Sequence, residues 1–252
     1  MIQDRKKILF GLMVVLLIAL IVSVFYSRAT AQPVNADDVI KMVREWESKS
    51  LKNGQWVHII TAVTLAEPQG VILPNGKPMP SSYITDDWYY VNGAGLVEKG
   101  VFSVKDNDGN LLQQSAFQNN VMVNFTFEDR QENQELFPLN IDLGFEQQIM
   151  EAGNKGLGIN KSEVVADGKS SLVYSYTEEL QLPTQLGAEQ MVVDKITKKG
   201  FFDAKTGDLA QTQTIWILSD GTEVVYETVQ IISVDSYPAA PDEIAGILEG
   251  VK

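Results

Sequence analysis

Two phrases in this chain say nearly the same thing about a hundred residues apart: KGVFSVKDNDGNL at Lys99–Leu111 and KGFFDAKTGDL at Lys199–Leu209. Each reads as a strand, a tight turn and a returning strand, because Asp108-Gly109 and Thr206-Gly207 are hairpin signals between β-prone runs. With a two-residue gap, Lys99, Gly100, Phe102, Lys105, Gly109, Leu111 and Gln113 meet identical residues from Lys199 to Gln211. The likeness goes on past the phrases, with a second turn signal at Asn119-Asn120 in one and at Asp220-Gly221 in the other. Each half therefore predicts a three-strand meander. Duplication and convergence on a small hairpin vocabulary both remain open, and both give antiparallel strands in two comparable sets, which one continuous curved sheet accommodates.

The strands carry distinct faces. Val121, Val123, Phe125 and Phe127 alternate with Met122, Asn124, Thr126 and Glu128; Leu172, Tyr174 and Tyr176 alternate with Ser171, Ser175 and Thr177. One side of each strand is greasy and the other wet. The run Val224–Val234 alternates poorly, which predicts cover on both sides. Helical material is scarce. Asp37–Gly54 places Val39, Val43 and Trp46 on one side behind two N-terminal acids, with Gly54 as a left-handed stop. Phe145–Ala152 is a weaker helix ended by Gly153, and Pro241 opens a third with the stripe Ile244, Ile247, Leu248 and Val251.

Ahead of this lies ILFGLMVVLLIALIVSVFY, Ile8–Tyr26, nineteen residues without a charge and long enough to span a bilayer. Arg5, Lys6 and Lys7 precede it, so the positive-inside bias leaves residues 1–7 as a cytoplasmic basic tip and everything downstream outside. Ala29-Thr30-Ala31 has the small-x-small form of a signal-peptidase site, so the segment is either a retained anchor (8–26) or a signal peptide cleaved after residue 31. Residues 27–36 are then a tether, and 37–252 the extracytoplasmic domain, in which two related halves are one alternative.

The chain has no cysteine, which excludes disulfides, thiolate metal sites and a lipid-bearing cysteine. Setting aside Asp4 and the four bases Arg5, Lys6, Lys7 and Arg28 leaves 32 acidic against 16 basic residues, a balance that excludes nucleic acid as a partner.

Motifs with chemistry fail on their spacing. Asp167–Leu172, DGKSSL, lacks the first glycine of a phosphate loop. KDNDGN would put Val104 and Ser115 at liganding positions of a calcium loop. His58, the one histidine, sits between Val57 and Ile59 with no cysteine nearby and reads as structural. Asp86-Asp87 and Glu178-Glu179 point to opposite sides of a strand and make poor acid/base pairs. Asn124 and Asn160 satisfy N-x-[ST], a pattern that matters only in a glycosylating host. No catalytic residue, metal ligand or cofactor is expected.

The order of parts, with DNDGNLLQQ, the later GFFDAKTGDLAQTQTIWILSDG and the closing YPAAPDEIAGIL, resembles the superfamily of periplasmic lipoprotein carriers LolA and LolB and the MucB/RseB-type envelope-stress regulators. The resemblance spans most of residues 36–250, on generic motifs, and lacks the lipid-attachment cysteine of the LolB kind. It implies an α+β fold that is mostly antiparallel β: a curved sheet or unclosed half-barrel with a few helices on its concave side, preceded here by the transmembrane helix. It also implies an apolar interior that receives acyl chains or a partner segment.

The corresponding expectation is a membrane-tethered, non-enzymatic module that holds a hydrophobic ligand, with Trp88, Tyr90, Val123, Phe125, Tyr174 and Tyr176 as lining. A structural or signalling ectodomain that recognises another envelope protein is the alternative. Glu67–Tyr83 gathers four prolines around Val71, Ile72, Leu73 and Met79. It is either a lid over the open side of the sheet or a packed connection, itself a small hairpin through Asn75-Gly76.

Overall fold

The turn chemistry predicted from the sequence builds the fold. In the computed structural model, which describes residues 31–67, 70–93, 96–119, 121–132, 145–166, 168–186 and 189–251, Gly109, Gly207 and Gly221 all take the left-handed conformation that their turns require. Acid side chains brace the same turns. Asp106 Oδ1 accepts from the Asp108 and Asn110 N–H groups, and Asp203 Oδ1 from Lys205 and Thr206.

The strands so joined are β1 (Gln32–Val34), β2 (Gln55–Leu65), β3 (Ser82–Val91), β4 (Val97–Lys105), β5 (Leu111–Gln118), β6 (Val121–Asn124), β7 (Asp129–Glu132), β8 (Ile159–Ala166), β9 (Lys169–Leu186), β10 (Glu189–Asp203), β11 (Leu209–Leu218) and β12 (Glu223–Tyr237). They form one curved, unclosed antiparallel sheet in the order β1-β8-β9-β10-β11-β12-β2-β3-β4-β5-β6-β7. Two meanders, β2 to β7 and β8 to β12, meet where β12 pairs with β2 from Glu227↔Leu65 to Tyr237↔Trp56. The repeated phrase occupies the third and fourth strands of each meander.

Helix α1 (Ala36–Ser50) starts where Asn35 Oδ1 accepts from the Asp37 N–H at 3.1 Å, and it buries Val39, Val43 and Trp46 as its spacing predicts. It ends at Ser50, with the Leu51 N–H donating to Glu47 O. The expected stop, Gly54, instead turns the chain into β2, its N–H donating to Val91 O. Helix α2 (Phe145–Asn154) buries Phe145, Ile149 and Ala152, and helix α3 (Asp242–Glu249) buries Ile244 and Leu248. The candidate membrane segment 8–26 and the cleavage motif's first two residues lie outside the described residues. No helix among the described residues is long and apolar enough to cross a membrane. Gln32–Val34, expected as tether, is a strand of the sheet, paired with β8 from Gln32↔Lys161 to Val34↔Ile159.

Directly paired residues share a face, so the registers divide the sheet into two sides. The first carries Leu172, Tyr174 and Tyr176 of β9, Gly200 and Phe202 of β10, Val229, Ile231 and Val234 of β12, Val57, Ile59, Val63 and Leu65 of β2, Asp87 and Tyr89 of β3, Gly100 and Phe102 of β4, and Phe117 of β5. The second carries Trp56 and His58, Asp86, Trp88 and Tyr90, Lys99 and Val101, Ala116, Val121 and Val123.

Helices α1 and α2 cover the first face and α3 the second, so the helices do not share one side of the sheet as expected. The reason is where β12 ends. Tyr237 lies beside Trp56, and the chain leaves the sheet next to the apolar Trp56–Trp88–Val101–Ala116 surface, which α3 buries with Ile244, Leu248 and Val251.

Two further expectations change. The irregular alternation in β12 comes from register shifts, between Ile231 and Ser233 against β2 and opposite Thr214/Ile215 of β11, rather than from cover on both sides. Ile232 is accordingly 53% exposed while Ile231 and Val234 pack under the helices. The run Val121–Phe127 also fails to continue as one strand. Asn124 Oδ1 accepts from the Thr126 and Phe127 N–H groups, β6 ends there, and Phe127 turns out to solvent while Phe125 stays in the α3 cluster.

Candidate functional site

The first face carries apolar clusters at both of its ends, and its shape starts from two glycines. A Cβ on Gly200 would lie 2.5–2.7 Å from three ring carbons of Phe145, so α2 can lay its first aromatic ring on the backbone of β10 only because that position has no side chain. Phe202 meets Phe145 at 5.6 Å and Tyr174 at 5.5 Å, both edge to face. Fully burying rings of this size contributes roughly 1.5–3 kcal/mol each. The cluster is completed by Val39, Val43 and Trp46 of α1, Ile149 and Ala152 of α2, and Ile159, Tyr176 and Leu209 of the sheet.

Gly100, the counterpart of Gly200 in the repeated phrase, is equally tight. A Cβ there would lie 2.6 Å from Trp88 O and 2.8 Å from a Phe117 ring carbon. Phe117 stacks on Phe102 at 5.4 Å, and Phe102 meets Tyr89 edge to face at 5.2 Å. Between these rings and the α1–α2 cluster lie Val57, Ile59 and Val91, and Val234 packs against both groups. The greasy surface thus crosses the sheet from β9 to β5.

Its covers are separate pieces. Helices α1 and α2 are joined by Arg44, whose Nε donates to Glu146 Oε1 at 2.8 Å, and the end of α2 is tied to β9 by Lys155–Glu178 at 2.5 Å. At the other end of the face, residues 71–79 form a miniature hairpin closed by Leu73 N–H to Lys77 O and Met79 N–H to Val71 O, with Gly76 left-handed at its tip. Leu73 and Met79 are buried against Val63, Leu65 and Tyr83, whereas Val71 and Ile72 are exposed. The proline-rich segment is therefore the small hairpin through Asn75-Gly76, and half of its apolar residues touch the sheet.

Polar groups enter the first face on β10 to β12, where Lys198 Nζ donates to the Thr214 hydroxyl at 2.9 Å and that hydroxyl donates to Glu227 Oε2 at 3.3 Å, and again on β2 and β3. Thr61 and Thr85 join hydroxyls at 2.9 Å, and the Asp87 carboxyl accepts from the Thr85 and Tyr89 hydroxyls and from the Ser103 N–H. Burial pushes Asp87 up to about 7, aided by the charge of Asp86 and opposed by those hydrogen bonds. Burial, and then Asp87 itself, also raises Tyr89. Burial pushes Tyr176 up to about 12, with Glu151 and Glu178 adding to the shift.

On the second face Asp86 accepts from Lys105 Nζ at 2.5 Å and bonds His58 Nε2 at 2.7 Å, while His58 stacks on Trp88 at 4.1 Å. Although burial opposes it, the hydrogen bonds of Lys105 and His58 hold Asp86 below the usual carboxylate range. Among the described residues no three metal-ligating side chains come together.

The structure splits the six expected lining residues. Tyr174 and Tyr176 lie under α1 and α2; Trp88, Tyr90, Val123 and Phe125 lie on the other side of the sheet with α3. Phe102, Phe117, Phe145 and Phe202 were not expected to line a site. The repeated K-G-x-F phrase carried the signal for two of them, since a glycine two residues before an aromatic inside a strand marks close approach.

No protein-family model matches the chain, and no characterised protein matches it by sequence. Among solved structures it is similar to the lipoprotein LppX of Mycobacterium tuberculosis, at 14% identity over 80% of this chain and 94% of that one, with a TM-score of 0.36. It is also similar to an uncharacterised conserved protein of Thermus thermophilus (6% identity, 82% and 93% covered, TM-score 0.42). A LolA superfamily protein of Nitrosomonas europaea is a third (11% identity, 83% and 96% covered, TM-score 0.28). None of these similarities assigns a role to a residue of this chain.

Proposed function

We propose that the protein is a non-enzymatic binding module that takes a lipid or acyl chain against the first face of its sheet, between the α1–α2 pair and the 71–79 hairpin. The observation that carries this reading is the mismatch between the face and its cover. The apolar surface runs from Tyr174 through Val234 and Ile59 to Phe117, while the described covers are two short helices at one end and a nine-residue hairpin at the other. Tyr174, Ile59 and Phe117 are buried by the fold itself, so a ligand chain would lie against the half-buried residues of this surface between the covers, Val234, Tyr89 and Phe102.

The apolar run Ile8–Tyr26 holds the module at the outer surface of the membrane, either permanently or until cleavage after Ala31. When it is retained, Ser27–Ala31 can extend about 17 Å at most, so the β1–β8 edge and the α2 end of the first face stay close to the bilayer that supplies the ligand. Native mass spectrometry of the full chain, released from non-ionic detergent, tests the proposal. The expected result is co-purifying lipid and saturable uptake of a fluorescent fatty acid; a protein that carries no lipid and takes up none contradicts it.

One observation favours recognition of an envelope protein as a second reading. β1 pairs with only three residues of β8, and beyond Lys161 no strand among the described residues pairs with its outer edge, where Val165 is 62% exposed. Such an edge accepts an added strand. A Val165→Pro variant that loses a crosslinked partner and keeps fatty-acid uptake would assign the edge to that role.

A further inference from the structure

Asp87 is the buried ionisable group that an apolar binding face does not need. The register places it on the first face between Ile59 of β2 and Phe102 of β4, one residue away on its own face from Tyr89 and Thr85. The donors named beside its carboxyl are neutral: the Thr85 hydroxyl, itself held by Thr61, the Tyr89 hydroxyl and the Ser103 N–H. The side chains that could supply a positive charge are engaged elsewhere. Lys105 and His58 both bind Asp86 through the other side of the sheet, and Lys99 sits over the rings of Trp56 and Tyr90.

No Lys, Arg or His falls at a first-face position of β2, β3, β4, β5 or the paired stretch of β12 beside them. Asp87 nevertheless keeps partial exposure, so it can be reached. A carboxyl in apolar surroundings without a counter-charge is costly, and the cost falls when a cation is brought to it.

We propose that Asp87 is the polar anchor of the apolar face and selects amphiphiles whose polar end carries an ammonium group over alcohols and carboxylates of equal chain length. The ligand chain lies over Phe102 and Tyr89, the half-buried rings beside Asp87, and its ammonium donates to the Asp87 carboxylate, which keeps its bonds from Thr85 and Tyr89. A ligand carboxylate at the same place meets Asp87 with like charge and no cation to share. This rests on the apolar-face reading above and adds the class of head group.

The test is competition among dodecylammonium, dodecanol and dodecanoate at equal concentration for the full chain, read by native mass spectrometry. The wild type is expected to take dodecylammonium roughly ten- to a hundredfold more tightly than dodecanol, as for a charge-assisted hydrogen bond, and dodecanoate least of all. In Asp87→Asn the ratio of ammonium to alcohol uptake falls to about one, and in Asp86→Asn, which changes the opposite face, the wild-type ratio persists. Equal uptake of the three by the wild type, or a preference that survives Asp87→Asn, overturns the anchor and leaves the apolar face standing. Failure of the wild type to take up any of the three contradicts both. The wild-type comparison decides the matter even if Asp87→Asn does not fold.

Discussion

Asp86 and Asp87 are chemical twins with opposite surroundings, because adjacent residues of β3 face opposite sides of the sheet. Asp86 is held ionised by a lysine and a histidine, whereas Asp87 meets only neutral donors and apolar walls. The consequence for stability has a definite sign. The folded-state value of Asp87, about 7, lies above that of an unfolded aspartate. Between roughly pH 4 and 7 the native state therefore holds a proton that the unfolded chain has released. The stabilisation this gives is complete below pH 4 and is lost as the pH rises through 7. Asp87→Asn should flatten that loss, leaving the variant more stable than the wild type at pH 8 by up to about 4 kcal/mol and similar to it at pH 4. Urea unfolding of residues 31–252 at the two pH values measures this, and parallel pH profiles for the two proteins would show that Asp87 is not buried in the way described. The sequence shows that the two acids point apart. It does not show that one of them lacks a counter-charge, because Lys105 and His58 arrive from other strands.

At the scale of elements, α2 docks on β10 through a missing side chain. Gly200→Ala puts a methyl group within 2.5–2.7 Å of three carbons of the Phe145 ring, so the ring or the helix must shift. The expected loss is about 1–3 kcal/mol, with part of it recovered by adding Phe145→Leu, since two residues in contact couple. Unchanged stability in Gly200→Ala would contradict the docking. Local sequence reports such elements well. The turns at Gly109, Gly207 and Gly221, the buried stripes of α1 and α3, and the hairpin at Gly76 follow from short-range rules about φ and periodicity. It reports less well where elements break. β6 ends at Asn124 because that side chain caps its own turn, and Gly54, which looks like a helix stop, belongs to the next turn.

At the scale of the molecule, the sheet is a two-sided layer whose sides carry different covers. Alternation within Tyr174–Tyr176 and within Trp88–Tyr90 is plain in the sequence, yet nothing local states that these pairs end on opposite faces. That depends on pairing across β10, β11, β12 and β2 and on the register shifts along the way, which are set by contacts between distant strands. The expected site was therefore legible as a set of apolar strand faces and illegible as a single surface. Phe102, Phe117 and Phe202 join Tyr174 and Tyr176 on the first face, which is the face the proposal gives to a ligand chain, while α3 packs on the second.

The most direct test is photolabelling of the full chain in membranes with a diazirine-bearing fatty acid, followed by mapping of the modified residues. Adducts concentrated at Tyr89, Phe102 and Val234 are the predicted result. Adducts at Trp88, Val123, Phe125 or Leu248, or spread evenly over the surface, would contradict the account.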